Sequence, residues 1–389
     1  MKIEIIGKFY DQHSLSIVNR NLILNSWQKL EEEGHDICIT PLDTYDSMHQ
    51  IDKEQIKILK KLESVEITDP DIQVRHSYPP VWRYPTSEKT HVVFIQPWEF
   101  QKVPMEWQYK WEQFADAVIV PSPWNGDVYL ESGMDPDRLY VVPNGYNEKI
   151  FYKDKSEKSD LVPYNNKKVF TFVGNGQYRK GVDILLNAWS RCFKKADNVL
   201  LVIKDAPAIY GHNNILNEVI KLQYQQGCGE IIYCDDSLTE KEMAALYKNT
   251  DVIVHPFRGE GFGMHLQEAI ACGCYPVVTQ GGGPGYFIND NCGDIISTTR
   301  QYINFTDEKV VAVKPGDSLT LMNQHGWILE PNVDDLALKM RNLYHYINFE
   351  ELQEKSKNAK ITTWAQVGEI FRDTLIDIWD RKGDKPKRF

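Results

Sequence analysis

Two glutamates, Glu260 and Glu268, stand eight positions apart around Gly261-Phe262-Gly263 in the run "HPFRGEGFGMHLQEAIACGCYPVVTQGGGPG". Paired carboxylates can orient hydroxyls, move protons or face a developing positive charge. The glycines let backbone N–H groups approach a ligand closely. The helical pattern "MHLQEAIAC" that follows would turn its positive end toward an anion such as a diphosphate. A second turn, in "FVGNGQYRKGVDILLNAW", carries Gly174, Asn175, Gly176, Arg179 and Lys180 between an apolar β-branched run and a helical pattern. Strand, glycine turn and helix are again the context in which unpaired helix N–H groups bind phosphate. Yet this turn fits neither common fingerprint. Val182 and Asp183 stand where a P-loop needs lysine and Ser/Thr, and Gly181 comes too late to be the third glycine of a dinucleotide loop.

These turns need strands to carry them, and short β-branched runs do alternate with amphipathic patterns along the whole chain. In the first half the candidate strands are "KIEIIG", "DICITP", "DIQVRH", "HVVFIQ", "DAVIVP" and "LYVVPN", with helical stretches such as "NRNLILNSWQKLEEEG" ending at Gly34. The polar, lysine-rich Tyr152–Lys168 has no periodicity and reads as a linker. After it come "VFTFVG", "VLLVIKD", "EIIYCD", "DVIVHP", "YPVVTQ" and "GWILEP". Such alternation predicts parallel sheets covered on both faces. Two units joined by one linker predict two doubly wound domains facing across a cleft, with ligands at the carboxyl ends of the strands. Asn289–Gln324 is longer than an ordinary connection and could be a lid, an oligomer contact or a small extra hairpin.

A chain of 389 residues with 42% hydrophobic and 25% charged residues fits a two-domain globular protein. Its net charge of −11 argues against nucleic acid as the main partner. The basic tail "RKGDKPKRF" reads as a solvated end, with room for no more than transient contact with a membrane. Seven cysteines without CxxC spacing point to a reducing compartment, and Cys272 and Cys274 read as small core residues. "MKIEIIGKFY" is too charged for the core of a signal peptide, and no run approaches the roughly 20 apolar residues of a membrane span. A cytoplasmic location is expected.

With strand, glycine loop and helix in order, Glu260–Gly273 matches the form EGFG-x4-EA-x-A-x-G. On this motif the sequence resembles the family-4 glycosyltransferases of the GT-B fold, retaining enzymes that use nucleotide-sugar donors. "FVGNGQYRKGVDILLNAW" resembles the family's phosphate loop, "GWILEPNVDDLALKM" its following segment, and "AVIVPSPWNGDVYLESGMDPDRLYVVPNGYN" the close of the first domain. The first 110 residues resemble it only loosely. The resemblance implies an α/β GT-B architecture. Rossmann-like domains would span residues 1–155 on the acceptor side and 156–362 on the donor side, with a helix in 363–389 crossing back to the first. The substrate would be a nucleotide sugar, with UDP or GDP as carrier, and the acceptor a glycan, glycolipid or protein. No cofactor and no metal are expected, since no Asp-x-Asp pair stands at a plausible strand end.

The resemblance also assigns roles. Lys180 is the donor-phosphate lysine, expected to be exposed in an open cleft. Asn175 replaces the family's usual arginine, and Arg179 either supplies that charge or is a solvated loop residue. Glu268 holds the ribose hydroxyls. Glu260 faces the sugar as a catalytic carboxylate, and Gly261, Phe262 and Gly263 offer backbone N–H groups. His265 stands where many relatives have proline and reads as a capping or packing residue. His76 ends the strand in "VRHSYPP", at the position of the family's active-site histidine, although a histidine there can also be purely structural. Trp98 and Glu99 in "IQPWEF" either face the acceptor or form a buried aromatic with a capping carboxylate.

Other classes fit less well. A dinucleotide oxidoreductase would need a glycine fingerprint after the first strand, which leads only into Gly7. A glycoside hydrolase would need both glutamates to flank one bond at about 5–9.5 Å, which is hard to arrange from a loop and from two turns into the next helix. A sugar-nucleotide epimerase of the same fold and a non-catalytic sugar-nucleotide-binding protein remain as rivals.

Overall fold

The computed structural model describes residues 1–46, 51–154, 156–163, 166–207, 215–304, 325–346 and 348–382. Its first six strands are β1 (Lys2–Gly7), β2 (Asp36–Pro41), β3 (Ile72–His76), β4 (His91–Ile95), β5 (Ala117–Val120) and β6 (Leu139–Val141). β3, β4 and β5 are buried along their whole length. A strand apolar on both faces belongs inside a parallel sheet with helices on either side. All six pair in parallel, in the order β2-β1-β3-β4-β5-β6.

The second half repeats the plan with β7 (Lys168–Val173), β8 (Val199–Lys204), β9 (Glu230–Cys234), β10 (Val252–His255), β11 (Tyr275–Thr279) and β12 (Asp294–Ile296). Their order is β12-β11-β10-β7-β8-β9, again parallel throughout. Each sheet has its own core. In the second, Phe170, Leu201 and Val254 pack on Leu185 and Trp189 of the helix Val182–Cys192. In the first, Ile3, Ile5 and Val74 are joined by Val367, Phe371, Leu375 and Ile378. Those four lie along one stripe of the helix Trp364–Lys382. The chain therefore returns to its first sheet at the end.

Ligand crevices of doubly wound sheets form where the strand order reverses. In the first sheet that point lies between β1 and β3, which end at Gly7 and His76. In the second it lies between β7 and β10, which end at Val173 and His255. Both glycine-rich turns singled out in the sequence leave these last two strands.

β13 (Thr298–Asn304) and β14 (His325–Pro331) form an antiparallel two-stranded ribbon. The long 289–324 stretch thus supplies β12 and β13, and residues 305–324 lie outside the described part. Ile303 and Ile328 of the ribbon pack with Trp98 and Phe100 from the first half. Among the described residues no cysteine forms a disulfide, and Cys272 and Cys274 are core residues. Among the described residues no helix is long and apolar enough to cross a membrane.

Candidate active site

The chain leaves β7 through Gly174, Asn175 and Gly176, makes a 3-10 turn at Tyr178–Lys180, and enters the helix Val182–Cys192 at Gly181. Gly181 has φ 72°, and a Cβ there would lie 1.8 Å from the Pro256 carbonyl oxygen. Only glycine lets this loop rest against the end of β10, which explains a glycine that fits no dinucleotide spacing. The Arg258 backbone N–H then donates to the Arg179 carbonyl at 2.6 Å. The buried Arg258 guanidinium fixes the loop further. It donates to both Asp183 oxygens at 2.8 Å, to the Tyr178 carbonyl at 2.8 Å, and to Glu330 of β14 at 2.7 and 3.0 Å. Those carboxylates outweigh its burial and hold its pKa above the ordinary arginine value.

The loop so held directs two cations at one carboxylate. Lys180 Nζ lies 2.5 Å from Glu260 Oε2, and Arg179 Nη1 lies 3.8 Å from the same oxygen. Arg179 Nη2 also meets Glu99 of the first half at 3.2 Å. Lys180 is therefore not the exposed side chain expected from sequence: its side chain is 15% exposed and ion-paired. The cause is the close seating of the loops, which brings the Lys180 side chain onto Glu260. Arg179 is likewise an ion-paired residue of the site, not a solvated one. Burial by itself would raise the Glu260 carboxyl, but Lys180, His255 and Arg179 overcome it and hold it well below the usual range.

The loop that follows Glu260 is squeezed between neighbours. Gly261 accepts from Ser122 Oγ at 3.0 Å, and a Cβ on it would lie 2.9 Å from the Trp98 carbonyl oxygen. Phe262 is buried against Phe287, and Gly263, at φ 89°, opens the helix Met264–Ala271. Glu268 on that helix accepts from the Tyr247 hydroxyl at 3.3 Å. Burial, reinforced by the charge of Glu240, pushes its carboxyl up to about 8. His265 does not cap the helix. Its ring meets that of His255 edge-on, with centroids 4.4 Å apart.

His76 is buried at the reversal point of the first sheet. Its Nδ1 lies 2.7 Å from Asn19 Oδ1, while Asn19 Nδ2 donates to the Lys8 and His76 carbonyls. Asn19 Oδ1 is thus the acceptor, so the ring carries its proton on Nδ1 and keeps Nε2 as a bare acceptor. Among the described residues that Nε2 is buried without a partner. Burial draws the imidazole pKa down to about 3, so the ring is neutral. Trp98 is a core residue, 4% exposed, its indole N–H donating to the Lys102 carbonyl at 2.7 Å. Its ring packs on Trp107 and Phe100, while its backbone faces Asn125 and Gly261. Glu99 ion-pairs with Arg179 of the second half.

Asn19, Ser122, Arg258, Tyr247 and His255 belong to this arrangement and escaped sequence reasoning. Arg258 and His255 sit within five residues of Glu260 and gave a local signal. Asn19 acts on a histidine 57 residues away and gave none. Among the described residues no group of three or more His, Cys, Asp or Glu side chains is arranged to hold a metal ion.

Residues 153–303 match the family model described as glycosyl transferases group 1. The chain is 24% identical over 227 residues to a probable sucrose-phosphate synthase of Thermosipho melanesiensis, covering 57% of this chain and 47% of that protein. It is 26% identical over 192 residues to a D-inositol 3-phosphate glycosyltransferase of Xylanimonas cellulosilytica, covering 47% and 45%. The chain thus spans about half the length of these curated relatives. Among solved structures, Anabaena Alr3699/HepE in complex with UDP and glucose superposes with a TM-score of 0.62 at 13% identity, covering 97% of this chain and 100% of that one. The sucrose-phosphate synthase of Thermosynechococcus elongatus gives 0.62 at 14% identity, covering 98% and 100%. The fold is that of the GT-B glycosyltransferases.

Proposed function

We propose, from the match of residues 153–303 to the glycosyl transferases group 1 model, that the chain moves a sugar from a nucleoside-diphosphate donor to an acceptor hydroxyl, with retention at the anomeric carbon. The observation that carries this reading is the convergence of Lys180 and Arg179 on Glu260 beside β7 and β10, where the strand order reverses. A donor diphosphate would draw both cations from Glu260. Its charge grows as the glycosidic bond breaks, and fixed cations in a water-poor site stabilise growing charge strongly. The start of the helix Val182–Cys192 adds its positive end. Lys180, Arg179 and these amides do the work of a divalent cation, so the reaction requires no metal.

Glu260, released from Lys180, would turn to the sugar and face the positive charge that develops there. Glu268 would hold the ribose hydroxyls. Gly174, Asn175, Gly176, Gly261, Phe262 and Gly263 would bring backbone amides to phosphate and sugar. The bare Nε2 of His76 suits a sugar hydroxyl, which donates to it. The acceptor in this reading is a glycan, glycolipid or protein hydroxyl, in cell-surface glycan or glycoconjugate synthesis.

A thermal-shift panel of UDP, GDP and ADP sugars tests the donor, starting from UDP-glucose because the Anabaena neighbour was solved with it. Mass spectrometry of products with candidate acceptors, with and without EDTA, and NMR of the new linkage complete the test. Transfer in EDTA with a retained linkage is expected. Conversion of the donor sugar while still on its nucleotide would mark an epimerase, and binding without turnover a sugar-nucleotide-binding protein. Loss in EDTA reversed by Mg2+ overturns metal independence, and an inverted linkage overturns retention.

A further inference from the structure

β10 ends on His255, whose ring is fully buried and whose Nδ1 and Nε2 make no well-formed hydrogen bond among the described residues. His265, on the helix that follows Glu260, also has a buried Nε2 without a partner among them. The two rings meet edge-on at 74°, and Phe172 and Phe257 flank His255 with centroids 5.4 and 5.6 Å away. Buried polar atoms are nearly always paired, so three nitrogens without a well-formed bond in one place call for a reason. One lies within reach. His255 Nε2 is 3.5 Å from Glu260 Oε2, the oxygen that already takes Lys180 and Arg179.

We propose that His255 is a positioning residue for Glu260: its Nε2–H takes up the carboxylate when Lys180 and Arg179 turn to the donor diphosphate, and His265 holds the ring for that exchange. The proposal rests on the reading of Lys180 and Arg179 as diphosphate ligands. Glu260 is 8% exposed, and its charge is balanced by those two cations. If both leave for a ligand of higher charge, a buried carboxylate without a partner takes a proton and can no longer face a cationic sugar as an anion. A donor waiting at 3.5 Å needs to move by less than an ångström to make a charge-assisted bond of about 2.8 Å. The charged and titratable groups facing His255 are Glu260, Lys180, Arg179 and His265. Burial, with the two cations adding to it, draws the imidazole down to about 4, against the pull of Glu260. A neutral ring can donate to Glu260 without cancelling its charge, as a permanently charged residue would.

The test compares wild type, His255→Leu, which keeps an apolar side chain without a donor, and His255→Asn, which keeps an N–H. UDP affinity is measured by calorimetry, and UDP release from UDP-glucose gives kcat and its pH profile. The leucine variant should lose at least about tenfold in kcat and should also bind UDP more weakly, because the UDP-loaded state already uses the bond and the free state does not. The acid limb of its kcat profile should move to higher pH, and asparagine should recover most of the loss. Unchanged kcat and acid limb in the leucine variant overturn the proposal, as does equal loss of kcat and UDP affinity in both variants. Should the leucine variant not fold, 15N NMR of histidine-labelled wild type decides. The His255 Nε2 signal should move on saturation with UDP, and an unmoved signal overturns the proposal. Where the thermal-shift panel selects another nucleoside diphosphate, that one replaces UDP in every arm; failure of the underlying reading would be seen in wild type itself, which would then bind and release none of them.

Discussion

The glycine loop that carries Glu260 and the helix that carries Glu268 are continuous in the chain, yet they treat a carboxyl in opposite ways. Burial pushes both upward. At Glu260 that push is overcome by Lys180 at 2.5 Å and Arg179 at 3.8 Å, delivered from another loop. At Glu268 the neighbours are the Tyr247 hydroxyl and the charge of Glu240, so the carboxyl ends at about 8. Burial sets the scale of a shift, and the charges brought in by other elements set its sign. The contrast fits a division of work. A carboxylate kept anionic suits the growing positive charge of a sugar. A carboxyl that holds its proton near neutral pH can both donate to and accept from ribose hydroxyls.

The largest expected effect comes from removing the cation that makes the difference. Lys180→Ala should lower kcat by about 2.7–4 kcal/mol, the scale of a lost charge-stabilising donor, read as initial rates of nucleotide release. Glu260 should then begin to resemble Glu268, with the acid limb of the rate profile moving to higher pH. Normal turnover would remove the loop from the mechanism. Next in size is Glu268→Ala, which should weaken UDP binding by about 1–3 kcal/mol for two neutral hydrogen bonds to ribose, roughly five- to a hundredfold, in calorimetry without any sugar. Unchanged affinity would show that the helix does not reach the ribose.

Glu260→Gln should act on UDP in the opposite sense. The carboxylate competes with phosphate for Lys180, so its loss should tighten UDP by roughly 0.5–1.5 kcal/mol while lowering kcat with the intact donor. Weaker UDP binding in this variant would mean that Glu260 supports the nucleotide and does not merely hold its place.

The smallest effect is on stability and depends on pH. The Glu268 pKa is raised on folding, so its contribution is fully present below about 4.5 and is lost as pH rises through about 8. Glu268→Gln should therefore match wild type near pH 4 and melt a few degrees higher near pH 8–9. Glu260, whose pKa is lowered, contributes with the reverse sign: its stability is present above about 4.5 and is lost as pH falls below that. A melting difference independent of pH would contradict the protonation assigned to Glu268.

Much of this site was legible because its signals are local. A β-branched run, a glycine turn and an amphipathic stretch fix strand, loop and helix within some twenty residues. That is enough to bring Gly174–Lys180 and Glu260–Glu268 to strand ends. Trp98 was ambiguous in sequence, since a tryptophan at a strand end can line a cleft or fill a core. It went to the core because Trp107 and Phe100 offered apolar surface and the Lys102 carbonyl took its N–H. The hydrogen bond that fixes the His76 tautomer joins residues far apart in the chain, which no spacing rule reaches.

By itself the sequence determined the two parallel sheets and the strand ends at which the phosphate loop and the two glutamates stand, since periodicity and glycine placement act over a few residues. It also determined Gly181, whose left-handed backbone and contact with Pro256 exclude a side chain. Only the tertiary structure decided what those residues are electrically. Lys180 is paired and not open to solvent, Glu260 is anionic and Glu268 holds a proton, and His76 and His255 are neutral, with ring nitrogens that make no well-formed hydrogen bond among the described residues. The reason is that a buried group takes its charge from whatever lies within a few ångströms. Here those neighbours arrive from β1, β3, β7, β10 and the turns and helices after them, and only the packing of the two sheets brings them together.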